Sequence, residues 1–142
     1  MLVYMKVKDI SEVGLAPHTD WMLVKACSFQ FSSSDAKEDG TERTPMTITK
    51  WSNRSSTKLL QWLEKEDLRD VAIEFCLRPG EVDEDLYILR FDLTETKMLE
   101  YNVSFREDSV EEKFQLKYKT VKVEYWEKQK TESWKGSSSF VL

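Results

Sequence analysis

Strict alternation of apolar residues constrains the fold of this chain more than any other feature. Val71, Ile73, Phe75 and Leu77 put an apolar side chain at every second position, as do Tyr87, Leu89, Phe91 and Leu93, and then Leu99, Tyr101, Val103 and Phe105. Successive side chains of a strand point to opposite faces, so a period of two marks strands with one buried and one solvated side. Half-buried strands of this kind belong to antiparallel sheets.

The rest of the chain repeats the pattern. Over residues 2–10, Val3, Met5 and Val7 alternate with Tyr4, Lys6 and Lys8. The run from Trp21 carries Cys27, Phe29 and Phe31 on one side and Ser28, Gln30 and Ser32 on the other, and Met46 and Ile48 resume the alternation after Pro45. A long closing strand is expected from Glu112 to Trp126. Its apolar positions are even at Phe114, Leu116 and Tyr118, then odd at Val121, Val123 and Tyr125. A β-bulge near Thr120 would repair that slip and bend the strand, as strands bend at a barrel corner.

One segment changes period. In TKLLQWLEK, helical spacing gathers Leu59, Leu60 and Leu63 on one face and leaves Lys58, Gln61, Glu64 and Lys65 on the other. Trp62 is assigned to packing as well, and Ser56 is the expected N-cap, since its hydroxyl can accept a first-turn N–H. A helix of about three turns must lean on a sheet to persist.

These elements fit one domain over residues 1–130, with a loose C-terminal tail over 131–142. With 40% hydrophobic and 33% charged residues, the chain can bury a core and stay soluble. Nowhere do ~18 apolar residues run together, so no membrane-spanning helix is expected. Lys6 and Lys8 interrupt the apolar start and leave no signal-peptide core, which points to synthesis and folding in the cytosol. The net charge of -5 gives no general attraction to phosphate backbones, so nucleic acid is not an expected partner.

The sequence offers little for chemistry. His18 is the single histidine, which leaves a Ser or Cys nucleophile without a conventional base and a metal without clustered ligands. Gly14, Gly40, Gly80 and Gly136 are isolated, so no phosphate-cradling loop forms, and no cofactor is expected. Cys27 and Cys76 sit in apolar runs and read as buried free thiols, with a single disulfide as the alternative. Acidic groups at Asp83 to Asp85, Glu107 to Asp108 and Glu111 to Glu112 fall at strand ends and turns, where carboxylates are solvated. An enzyme built on a carboxylate pair is the catalytic alternative this leaves open. Lys113, Lys117 and Lys119 share one side of the closing strand, with Lys122 beyond; they form a solvated face or a surface that meets an acidic neighbour.

The order of several strings along the chain resembles one family. VYMKVKDI, the His18 to Trp21 spacing, TITKWSNRSSTKLLQWL, VAIEFCLRPG and FQLKYKTVKVEYWEK together resemble, across residues 3–128, the hemolysin-coregulated proteins (Hcp) that build the type VI secretion tube. The resemblance implies a mainly β fold, an antiparallel β-barrel of two packed sheets with one short α-helix at the side. It implies a homohexameric ring, stacking into a tube, that meets spike and sheath components, carries small effector cargo, and leaves the bacterial cytoplasm through the type VI machine without a signal peptide. Ser28 and Gln30 match strand positions that face the lumen and its cargo. Ser32, Ser33, Ser34, Asp35, Lys37, Glu38, Asp39, Glu42 and Arg43 fall in the loop that reaches neighbouring subunits and rings, which is short and acidic here. Arg78, Pro79 and Gly80 stand where the family carries a glycine pair. A second reading from the residues alone is a monomeric β-barrel interaction or ligand-binding module with Trp126 and Trp134 as contact residues.

Overall fold

The computed structural model describes residues 2–10, 20–31, 44–76, 87–128 and 134–141. Its elements are β1 (Leu2–Val7), β2 (Met22–Val24), β3 (Ala26–Ser28), β4 (Met46–Trp51), α1 (Ser56–Lys65), β5 (Arg69–Cys76), β6 (Tyr87–Phe105), β7 (Val110–Lys117), β8 (Thr120–Lys128) and β9 (Trp134–Val141). The strands form one nine-stranded sheet in the order β2-β1-β5-β6-β7-β4-β3, with β8 paired to β6 and β9 to β8. The mainly β, antiparallel character with a single helix among the described residues is as the alternation implies.

The two packed halves of the expected barrel are joined through β6. Residues Tyr87 to Thr94 of this 19-residue strand pair with β8, and Lys97 to Phe105 pair with β7. The path ends at β2 and β3, which Lys25 alone separates; its N–H donates to the Thr49 carbonyl at 2.8 Å. Between those two end strands the ladder does not close among the described residues. Side chains link the two halves across the interior instead. Phe29, just past β3, stacks on Phe91 of β6 at 4.4 Å between ring centroids, and Phe91 meets Phe75 of β5 edge-on at 5.6 Å. Val3, Met5, Ile73 and Leu93 from one half and Met46, Ile48, Phe114 and Leu116 from the other share one buried cluster.

The phase slip in the closing segment has a different cause from the expected bulge. β7 and β8 both run along β6, and the pairings Lys117 with Lys97 and Thr120 with Thr94 keep one register across the break at Tyr118 and Lys119. β6 turns with them: Glu95 adopts a φ of 47°, in the left-handed region that a residue with a Cβ seldom visits. The buried side then changes from Phe91 and Leu93 to Thr96 and Met98. Both strands therefore round the corner together. Against β5 the register shifts at this corner, between Arg69 and Val71, and against β7 it shifts further along β6, between Met98 and Glu100, where Leu99 is the extra residue and is exposed.

The helix begins one residue earlier than its expected cap allows. Ser56 is its first residue and accepts a hydrogen bond from the Asn53 N–H at 3.0 Å, while Ser55 occupies the N-cap position without capping through its side chain. Leu59 and Trp62 are fully buried and Leu63 is half-buried. Leu60, expected on the packing face, is 44% exposed, because the face that meets β6 is centred on Leu59 and Trp62. Leu59→Ala is therefore expected to cost about 2–5 kcal/mol in urea unfolding and Leu60→Ala less than about 1 kcal/mol. Equal losses at both positions would contradict this docking. Residues 134–141 of the expected loose tail form β9, antiparallel to β8.

Candidate functional site

Ser28 lies at the end of the sheet path, and three successive registers define its surroundings. Ser28 pairs with Thr47, Thr47 with Gln115, and Gln115 with Glu100, which makes one row across β3, β4, β7 and β6. The next row runs through Ala26, Thr49, Lys113 and Asn102. Met46, Ile48, Phe114 and Leu116 occupy the alternate positions and fill the core, so these rows form the opposite, solvated face of the half-sheet. Ser28 and Gln30 are both exposed. Ser32, Ser33, Ser34, Asp35, Lys37, Glu38, Asp39, Glu42 and Arg43 lie outside the described residues, as do His18, Asp83 to Asp85 and the side chain of Trp134.

Beneath that face is a polar centre, of which the sequence reading places Glu112 in solvent. Lys50 shares the inward phase of Met46 and Ile48, and Glu112 shares that of Phe114 and Leu116; both charged side chains are buried. Lys50 pairs with Glu112 across β4 and β7. Its ammonium donates to Glu112 Oε2 at 3.1 Å, Asn53 Oδ1 at 2.9 Å and the Trp51 carbonyl at 3.0 Å, which uses all three of its donors. The Ser52 hydroxyl donates to Glu112 Oε1 at 3.1 Å.

Asn53 carries this centre to the helix. Its Oδ1 also accepts from the Ser55 hydroxyl at 2.7 Å and the Ser55 N–H at 3.1 Å. The Asn53-Arg54-Ser55 triplet is thus a brace between an ion pair and the start of α1. Burial alone would raise the Glu112 carboxyl, but the Ser56 and Tyr101 hydroxyls and the Lys50 charge outweigh it and hold the group below its ordinary range. Tyr101 is pushed the other way, first by burial and then by the carboxylate beside it. Glu112 is therefore an ionised, pinned carboxylate and a poor proton carrier.

The thiols and the surface lysines have similarly settled environments. Cys27 and Cys76 are free and half-buried; burial pushes them up to about 12 and about 11, with Glu74 adding to the shift at Cys76. Neither thiolate forms readily at neutral pH. Among the described residues no three metal-ligating side chains gather. Of the four lysines singled out in the closing segment, Lys113 and Lys117 share the Ser28 face. Lys119 sits at the corner 3.3 Å from Glu95, and Lys122 lies on β8 at 3.3 Å from Glu124.

Trp126, expected as an exposed contact, is half-buried and lines a cavity of about 240 Å³ with Glu74, Ile88 and Arg90. The Arg90 guanidinium is held there by Glu74 at 3.1 Å and Asp92 at 2.9 Å.

Fold and site together define an antiparallel β-sheet protein whose interior is filled by side chains and whose helix is braced by a buried ion pair. The family model described as "Type VI secretion system effector, Hcp" matches residues 4–125. The chain belongs to the Hcp family of type VI secretion systems, a structural and not an enzymatic family. Its fold is similar to that of a type VI secretion system effector from Yersinia pestis, with a TM-score of 0.76 at 16% identity over 99% of this chain and 98% of the other. Hcp1 from Salmonella typhimurium aligns with a TM-score of 0.72 at 15% identity, covering 96% of this chain and 99% of that one. Secreted protein Hcp3 from Pseudomonas aeruginosa gives 0.71 at 15%, covering 99% and 96%. No curated protein shows significant sequence similarity to the chain.

Proposed function

We propose that this chain is a structural tube subunit of a bacterial type VI secretion system, forming hexameric rings that serve as conduit and cargo carrier for secreted effectors, without enzymatic turnover. The observation that carries the reading is the family match over residues 4–125, which runs from within β1 to within β8 and takes in every element between them. The surface is in keeping with it. Phe105 is 81% exposed and Val103 is exposed near it at the end of β6, while Leu68, 56% exposed, precedes β5 and the exposed Leu23 lies on β2. Large apolar side chains on different parts of one surface suit head-to-tail contacts around a rotation axis, in which each copy offers two unlike patches.

In this reading Ser28 and Gln30 face the lumen and the loop over residues 32–44 reaches neighbouring copies and rings. Spike and sheath components and small effector cargo are the partners, and the protein passes from the bacterial cytoplasm through the machine itself. The monomeric binding module would call for a preformed apolar cavity. The shared core is occupied by Met5, Met22, Met46, Phe114 and Leu116, and the cavity beside Trp126 is lined in part by the charged Glu74 and Arg90.

Light scattering after size exclusion tests the assembly directly. The expected mass is about six times 16.8 kDa, held as the sample is diluted. A monomer at every concentration would overturn the ring.

A further inference from the structure

We propose that the sheet face bearing Ser28 is a cationic docking surface for the acidic face of a separate passenger protein, an inference that rests on the lumen reading above. The observation is a like-charge contact written into the register. Lys97 of β6 and Lys117 of β7 stand directly opposite each other on this face. Lys113 lies on the same side of β7, two rows away. Directly opposed like charges destabilise a sheet, and among the described residues no carboxylate forms an ion pair with any of these three lysines.

Among the described residues the acids on this face offset them only in part. Glu111 is taken up first by Lys25 at 2.6 Å, with Arg106 at 4.0 Å and the Lys113 charge also acting on it, which leaves Glu100 as the other carboxylate facing the lysines. The chain as a whole carries -5, so the face opposes the net charge of the molecule. A ring would bring several copies of it around one channel and strengthen its field.

The texture of the face favours a passenger over a permanent subunit contact. Stable subunit interfaces have an apolar core. Here the central rows present Ser28, Thr47, Gln115, Ala26, Thr49 and Asn102, with Trp51 at the margin beneath the Lys25 ammonium, 4.2 Å from the ring centroid. Small polar side chains flanked by lysines suit a contact that forms by electrostatic attraction, weakens with salt and releases its partner.

The test uses a fluorescein-labelled glutamate oligomer as the probe, followed by anisotropy with light scattering on the same samples. Wild type is expected to bind it, K97Q/K113Q/K117Q to bind about tenfold more weakly, and K6Q/K8Q/K58Q, an equal charge change at exposed lysines elsewhere, to bind as wild type does. Glu100→Gln, which should fold whatever the triple variant does, is expected to tighten binding. Equal losses in both triple variants would overturn the proposal by reducing it to net charge. A single-stranded oligodeoxynucleotide of the same charge that binds more tightly through the same lysines would overturn it in favour of nucleic acid. A ring-sized wild type that ignores the probe removes the docking surface and leaves the ring; a monomer that binds through these lysines does the reverse.

Discussion

Replacing Lys50 with methionine is expected to cost roughly 3–5 kcal/mol of folding stability, the scale on which removing one partner of a buried ion pair is felt. The side chain is fully buried and its three donors serve Glu112, Asn53 and the Trp51 carbonyl. Methionine fills a similar volume, so the loss reports charge and hydrogen bonding more than packing. It leaves the Glu112 carboxylate desolvated and without its cation, with only neutral hydroxyls such as that of Ser52 to answer its charge. Adding Glu112→Leu to Lys50→Met should recover much of the loss, because an apolar pair of like volume avoids both desolvation penalties. Urea unfolding at fixed protomer concentration measures this, fixed because association shifts apparent stability. A loss below about 1 kcal/mol for Lys50→Met would show that the pair is hydrated in solution.

The same pair sets an acid dependence. Glu112 is held below its ordinary value in the fold, so its stabilising contribution is complete above the unfolded carboxyl range near ~4.3 and is lost as pH falls through the lower folded value. Wild type should therefore lose stability on acidification in a window that the Lys50→Met, Glu112→Leu double variant lacks.

Much of the sheet was legible because alternation is a local signal. Val71 to Phe75 and Phe91 to Leu93 reveal their buried face two residues at a time, whatever lies across from them. The corner is not local. Thr94 to Lys97 is polar, so β6 reads as two strands, and only the shared turn of β6 with β7 and β8 shows it to be one. The polar centre had a signal that a charge-equals-surface reading discards: Lys50 in phase with Met46 and Ile48, and Glu112 in phase with Phe114 and Leu116. Two opposite charges on the apolar phase of two strands are a reason to suspect a buried pair. Of the candidate site, the exposure of Ser28 follows from alternation, whereas the opposition of Lys97 and Lys117 depends on a strand register that one sequence does not contain.

Trp62→Ala is expected to be the most damaging truncation on the helix, at about 3–5 kcal/mol. Trp62 is fully buried, and α1, with ten residues, is too short to be stable by itself, so its fold depends on this side chain and on Leu59. The indole N–H also donates to the Asp67 carbonyl at 2.9 Å, which ties the end of the helix to the approach to β5. The Arg69 guanidinium lies over the same ring, 5.9 Å from its centroid, and donates to the Lys8 carbonyl at 3.1 Å. One side chain thus links α1, the start of β5 and the chain just beyond β1. Trp62→Phe separates these contributions: it keeps an aromatic ring and removes the N–H, and should lose about 1–2 kcal/mol. If thermal or urea unfolding found the two substitutions equal, the hydrogen bond and not the packing would hold the helix. A near-zero effect of Trp62→Ala would mean that α1 does not dock on the sheet through this face.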